Sequence, residues 1–454
     1  MNIIHIKFQK VIGQIKPMHG VNNGPLSGSE TKDLSRYFRL GGIPLIRFHD
    51  TDYPNPRQVD IPKIFPDFSK DPADAGSYDF RHTDVHMAAA YEVGAKVLYR
   101  LGTSIEHMKH KVDIYPPSDY ERWAQICIGI IRHYTQGWAN GFTFDVPYWE
   151  IWNEPDNNLK KPDMWIGEPD TYYRLYETAA KAIKAAFPSI KVGGYAGCTI
   201  HNETFREGFL QHVRNTGAPL DFFSWHGYSS TVDQIANDAV TARERLRAYG
   251  LEAAEILCDE WNYIEPLPEF WTKYRQEGSE YLQQELFEKQ KSRFGASFLA
   301  SCFIEMQNSP LAACNYYDAQ PSSSWCGMFN LYGVPQPAFY SFVAFDALYR
   351  LGRQAVVQSE VQTPQCLAAR DEKNMAILLS HHGEGKIEGC LDLELDADLP
   401  MAAEFYLLQE LGGLQQIKTE VYCTNRIQQY YTMDSNSVLL IKLHPYQMKE
   451  RGVS

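Results

Sequence analysis

Residues 149–155 read Trp-Glu-Ile-Trp-Asn-Glu-Pro, an apolar run that stops abruptly at Asn153, Glu154 and Pro155. The run from Tyr148 to Trp152 fits a short, buried strand, and the proline marks its end. Alternation along the strand sends Asn153 and Glu154 in different directions at its rim. A carboxyl at such a position sits partly out of water, and desolvation raises its pKa towards the range of a general acid. A second stretch has the same form: Ile256-Leu257-Cys258-Asp259-Glu260-Trp261-Asn262 is also an apolar run that ends in an acid.

Outward from these two stretches, residues 15–345 alternate short apolar runs with amphipathic helical patterns, the signature of a parallel sheet in an α/β protein. The candidate strands are Lys16–Gly20, Ile43–Phe48, Lys96–Arg100, Tyr148–Trp152, Lys191–Tyr195, Asp221–Trp225, Glu255–Cys258 and Ser301–Met306. Eight such strands predict a (β/α)₈ TIM barrel, with the two acids at the fourth and seventh strand ends. Helices between them have readable ends. Ser118 and Glu121 form a capping box before Trp123, Ile126, Ile130, Tyr134 and Trp138, with Asn140-Gly141 as the stop. Pro188 closes one helix, and Gly250 ends another through Ile235, Ala239, Ala242 and Leu246. Beyond residue 353 the pattern becomes short alternating segments, such as Leu391–Leu395, Ala403–Leu408 and Val438–Leu443. They predict a C-terminal antiparallel β-sandwich over 353–454, with residues 1–14 as a candidate to join it.

The 454 residues fit a barrel plus one smaller module. A net charge of −13, from 56 acidic against 43 basic side chains, repels phosphate backbones and anionic membranes, so neither nucleic acid nor a membrane is an expected partner. Aromatic residues make up 13% of the chain, which suits stacking on sugar rings. The nine cysteines are scattered and contain no CxxC pair, so a disulfide framework is not expected. With no apolar leader at the N-terminus, the expected location is cytoplasmic; a periplasmic or secreted location is the alternative if a signal peptide was removed. There is no HExxH, Walker or GxSxG motif, so no metal and no organic cofactor are expected. A homo-oligomer is left open.

Two carboxylates on separate strands at one rim are what a double-displacement glycosidase requires. One donates a proton, and the other forms a covalent glycosyl intermediate from about 5 to 5.5 Å away. Glu154 is read as the acid/base and Glu260 as the nucleophile, while Asp259 points the other way. Arg47 and His49 share one strand face, as do His226 and Tyr228, and the His-x-Tyr pair is placed to orient the nucleophile. Two long connections, Asp50–Thr83 with five prolines and Asn262–Ser292, follow strands and are expected to shape the site.

These residues resemble clan A glycoside hydrolases, and specifically family 39, the β-xylosidases and α-L-iduronidases. The resemblance lies in Ile46-Arg47-Phe48-His49, Trp152-Asn153-Glu154-Pro155, Ser224–Tyr228, Asp259-Glu260-Trp261-Asn262 and Gly327–Tyr340. It implies that Asn153 binds the sugar 2-hydroxyl and that His226 is the sixth-strand histidine. It also implies that Tyr316 or Tyr317 is the sugar-stacking aromatic, where a Trp would be expected. The implied partner is an oligosaccharide or polysaccharide, and the implied reaction is hydrolysis of terminal β-xylosides or related pentosides with retention. An α-L-iduronidase-like uronide hydrolase, with Arg47 or Arg100 facing the sugar carboxylate, and a catalytically silent glycan-binding barrel are the competing readings.

Overall fold

A computed structural model describes residues 2–28, 32–106, 108, 110–157, 164–321, 325–395 and 400–446. The chain forms two compact units. One comprises Met18–Pro266 and Ser309–Cys326, and the other Met1–Pro17, Leu267–Asn308 and Gly327–Ser454.

The first unit is built on a closed parallel barrel of eight strands. We name Asn2–Gln14 β1, and the barrel strands in chain order are β2 (Gly20–Asn22), β3 (Leu45–Phe48), β4 (Lys96–Leu101), β5 (Tyr148–Ile151), β6 (Lys191–Gly197), β7 (Phe222–Ser229), β8 (Glu255–Tyr263) and β9 (Ala313–Tyr316). Leu45, Leu98, Phe222, Leu257 and Ala313 form an apolar layer near the strand starts, which closes that end of the barrel and leaves the polar residues to the other end. Six strands start within a few residues of the sequence expectation; the first is displaced, because β2 begins where Lys16–Gly20 was expected to end.

The eighth strand differs. Ser301–Met306 lies inside a helix, Arg293–Gln307, and the strand follows it at Ala313–Tyr316. That helix is buried on nearly every side, from Gly295 to Ile304, so no polar face breaks the apolar run into a helical period. Ser292 caps it by accepting from the Phe294 N–H at 3.1 Å. The stretch expected as a loop after β8 likewise contains two helices, Phe270–Tyr274 and Glu280–Lys291. In the helix Tyr120–Gln136 the buried face is the predicted one, but the cap is Asp119, whose carboxylate accepts from the Arg122 N–H at 2.9 Å, and the stop is Gly137 at φ 72°.

In the second unit the remaining strands are β10 (Arg353–Ser359), β11 (Gln365–Arg370), β12 (Met375–His381), β13 (Ile387–Glu394), β14 (Met401–Leu408), β15 (Leu414–Tyr422), β16 (Arg426–Met433) and β17 (Ser437–Pro445). They join β1 in one nine-stranded sheet, ordered β15-β14-β17-β12-β11-β10-β1-β13-β16. The sheet is antiparallel except where β1 runs parallel to β13. Strands far apart in this order share one core: Met401, Ala403 and Phe405 of β14 cluster with Leu391, Leu393, Tyr431 and Met433 of β13 and β16. The sheet therefore curls so that its two wings face each other like the layers of a sandwich. Helix Arg293–Gln307 is tied to the sheet by Ser301 Oγ donating to Ser380 Oγ and Ser380 Oγ donating to the Ser297 carbonyl, each at 2.9 Å.

Candidate active site

The backbone after β5 leaves the strand path at once. Trp152 and Glu154 both take left-handed conformations, at φ 74° and 45°, which cost bulky residues energy and persist only where the surroundings hold them. Here Trp152 N–H donates to the Leu101 carbonyl at 2.7 Å, and Glu154 N–H donates to Ala196 at 2.8 Å. This conformation cancels the alternation expected for a strand, so Asn153 and Glu154 converge on one site. Asn153 Oδ1 accepts from Arg47 at 2.6 Å. Glu154 Oε2 accepts from Asn157 Nδ2 at 2.7 Å, and Glu154 Oε1 lies 2.7 Å from His226 Nδ1.

On β8 the pairing with β7 slips at Asp259: Cys258 faces Trp225, yet Glu260 faces the next residue, His226. This bulge turns both acids inward. Asp259, which strict alternation would have sent outward, lies 3.0 Å from Arg47 Nε. Glu260 lies 3.2 Å from Arg47 Nη1 and accepts from the Tyr228 hydroxyl at 2.5 Å. Arg47 also meets Glu150 at 2.8 Å, and so stands among three buried carboxyls. One carboxylate oxygen each of Glu154 and Glu260 and one ring nitrogen of His226 all lie within 4.8 Å of one another. His226 sits closer to Glu154 than to Glu260, which is 3.5 Å away, so within the His-x-Tyr pair the hydrogen bond to Glu260 comes from Tyr228.

Burial pushes the Glu260 carboxyl up, helped by the Glu154 charge and opposed by His226, Arg47 and the Tyr228 hydroxyl. Burial also brings His226 down to about 4, so its ring is neutral near pH 7. His49, buried beside Arg47 and Arg100, is held well below the usual histidine range. Arg47 stays charged: burial opposes it, but Glu150, Asp259 and Glu260 more than compensate.

The sequence profile of glycosyl hydrolases family 39 matches residues 64–386. The chain belongs to that family. A relative, the "Beta-xylosidase" of Caldicellulosiruptor saccharolyticus, is 25% identical over 333 residues, covering 67% of this chain and 64% of its own length. The "Beta-xylosidase" of Geobacillus stearothermophilus is 25% identical over 277 residues, 55% of this chain and 51% of its own. The chain thus spans less than two thirds of the length of either relative. Among solved structures, a glucosidase from Croceicoccus marinus superposes with a TM-score of 0.81 at 22% identity, covering 98% of this chain and all of that one.

For this family 39 chain the two tyrosines at the end of β9 part company. Tyr316 is fully buried, edge-on to Trp261 at 5.7 Å. Tyr317 instead donates to Asp50 Oδ2 at 3.1 Å and lies within electrostatic reach of Glu260. Asp50 itself, raised by burial to about 6, was not singled out from the sequence. Neither were Glu150, Asn157, Asp156 and Asn22. Glu150 falls inside the quoted motif, and its acid in an apolar strand was the signal available. Asn157 and Asp156 had none, because their roles depend on the turn after Pro155. Asp156 is buried beneath Glu154, accepts from the Cys198 N–H at 2.9 Å and is raised to about 7, chiefly by burial. Among the described residues, the grouping with metal-ligand atoms is Glu154, His226 and Glu260. Asn157, Tyr228 and Arg47 already hold its two carboxylates.

Proposed function

We propose that this chain is a retaining glycosidase in which Glu154 is the acid/base and Glu260 the nucleophile. The observation that carries this is the separation of the two carboxylates. Oxygens within 4.8 Å of each other fit direct attack by one carboxylate, for which about 5 to 5.5 Å is usual, and leave too little room for the water of an inverting enzyme at about 6.5 to 9.5 Å. In the first step Glu260 bonds to the anomeric carbon while the bond to the leaving oxygen breaks and that oxygen takes the Glu154 proton. In the second, Glu154 takes a proton from water, whose oxygen displaces Glu260 with a second inversion. Neutral His226 serves as a hydrogen-bonding partner of Glu154 across both steps.

The proposed substrate is a terminal neutral sugar, a β-xyloside first, as the names of both curated relatives suggest. A uronide would need a cation facing its carboxylate. Arg47 is committed to Glu150, Asp259, Glu260, Asn22 and Asn153. Arg100 is fully buried, its Nη2 is bonded to Asp60, Ser104 and the His49 carbonyl, and the Asp60 carboxylate at 2.6 Å already balances its charge, although Nε and Nη1 have no hydrogen-bond partner. Asn153 Nδ2 and His49 Nδ1 are buried without hydrogen-bond partners, as expected of groups reserved for sugar hydroxyls, while His49 Nε2 faces Asp50 Oδ2 at 3.2 Å. Tyr317 takes the place of Tyr316 as the aromatic at the sugar, because the Tyr316 ring is packed against Trp261. The test is a panel of aryl β-xyloside, β-glucoside and α-L-iduronide, with the first-formed anomer read by NMR. Turnover of a β-glycoside to the β-anomer supports the reading. Turnover of the iduronide alone removes the substrate assignment, and inverted sugar removes the mechanism.

A further inference from the structure

Beneath Glu260 lies a carboxyl group that the two-step reaction does not use. Asp259 is fully buried and reaches the barrel interior only through the β8 bulge. Its Oδ2 is 3.0 Å from Arg47 Nε, but that single N–H is aimed at Glu150 Oε2, 2.8 Å away. Both Asp259 oxygens are left without a hydrogen-bond donor. Glu150 is well provided for, with Arg47 on Oε2 and the Ser224 hydroxyl donating to Oε1 at 2.7 Å. An ionised carboxylate buried without donors is costly, and a single guanidinium cannot neutralise Glu150, Asp259 and Glu260 together.

We propose that Asp259 is held as the neutral acid and donates its proton to Glu150. The pair then presents one negative charge to Arg47, and the guanidinium keeps enough positive potential to hold Glu260 ionised for attack. Asp259 is in this sense a positioning residue acting through Arg47. Burial and the Glu150 charge both favour the protonated form of Asp259. For Glu150, burial is outweighed by Arg47 and by hydrogen bonds from Asp259 and Ser224, and the ionised form is favoured. The other groups facing the pair are consistent with this. Neutral His226 has its Nε2 4.0 Å from Asp259 Oδ1, and Asn22 donates to the Asp259 carbonyl at 2.9 Å. Tyr172 stands near Glu150 and bonds the Ile151 carbonyl.

The test reads the proton directly. In infrared spectra of the whole protein at about pH 8, where ordinary carboxyls are ionised, the wild type should show a carboxylic-acid carbonyl band that Asp259→Asn removes. Glu150→Gln should remove it too, because Asp259 then ionises to face Arg47. Kinetically, Asp259→Asn keeps a neutral donor and should retain at least about tenfold more kcat/KM than Asp259→Ala. A wild type without the band, a band that survives Glu150→Gln, or an Asn variant no better than Ala would each overturn the proposal. Only the kinetic arm rests on Glu260 being the nucleophile, so the infrared arm still decides if no glycoside is turned over, and its Glu150→Gln comparison still decides if the Asp259 variants fail to fold.

Discussion

Glu154 and Glu260 meet because two backbones depart from their regular paths, one through left-handed residues after β5 and one through a bulge in β8. On the proposed roles their variants should respond differently to the leaving group. Glu154→Ala should lose about 10² to 10⁴-fold on unactivated disaccharides yet keep its first step on activated aryl glycosides, because a good leaving group needs little protonation. Glu260→Ala should fail on both. Rates on the two substrate types check this, and full activity of either variant on a disaccharide would contradict it. Tyr228→Phe removes a donor that favours the ionised Glu260. The Glu260 pKa should then rise and the acidic limb of kcat/KM should move to higher pH, with kcat down by about tenfold. An acidic limb that does not move would show that the hydroxyl does not tune Glu260. Both glutamates were legible in the sequence because each ends an apolar run. Asn157 and the inward turn of Asp259 were not, because a turn and a bulge, rather than a periodic pattern, aim their side chains, whereas Glu150 carried a signal as an acid inside an apolar strand.

At the scale of elements, period-based reading worked where helices show one face to the core and strands are short and apolar. It failed at Arg293–Gln307, which lacks a polar face. The cap there is testable: Ser292→Ala should lower stability by about 1 kcal/mol in urea unfolding. Gly193 in β6 illustrates a constraint invisible in sequence. A Cβ on it would lie 2.2 Å from the Phe222 carbonyl oxygen of the neighbouring strand, a backbone atom that cannot swing aside. Gly193→Ala should cost about 1 to 3 kcal/mol by overpacking, and an unchanged urea midpoint would contradict that. The curled sheet was legible as alternating segments, but its parallel β1–β13 pair was not, because β1 and β13 are remote in sequence and nothing local encodes which edge a strand joins.

For the molecule as a whole, the buried carboxyls make stability depend on pH. Asp156 titrates at about 7 in the folded chain and near the ordinary aspartate value of about 3.9 when unfolded. Between those values the folded state binds more protons, so this group's contribution falls as pH rises from about 4 to about 7. His226, down at about 4, acts the other way, since the unfolded state binds the proton first as pH falls below about 6.5. Asp156→Asn should therefore gain melting temperature over the wild type as pH rises through 4 to 7. A difference between the two proteins that stays constant with pH would contradict this.

In the proposed reaction Glu260 becomes covalently bonded to the sugar. This bond is tested most directly with an activated 2-deoxy-2-fluoro-β-xyloside, whose fluorine slows hydrolysis of the glycosyl-enzyme more than it prevents its formation. Inactivation with one sugar per chain is expected, with peptide mapping placing the sugar on Glu260. Label on another carboxylate, or turnover of β-xylosides with no label on the protein, would contradict it.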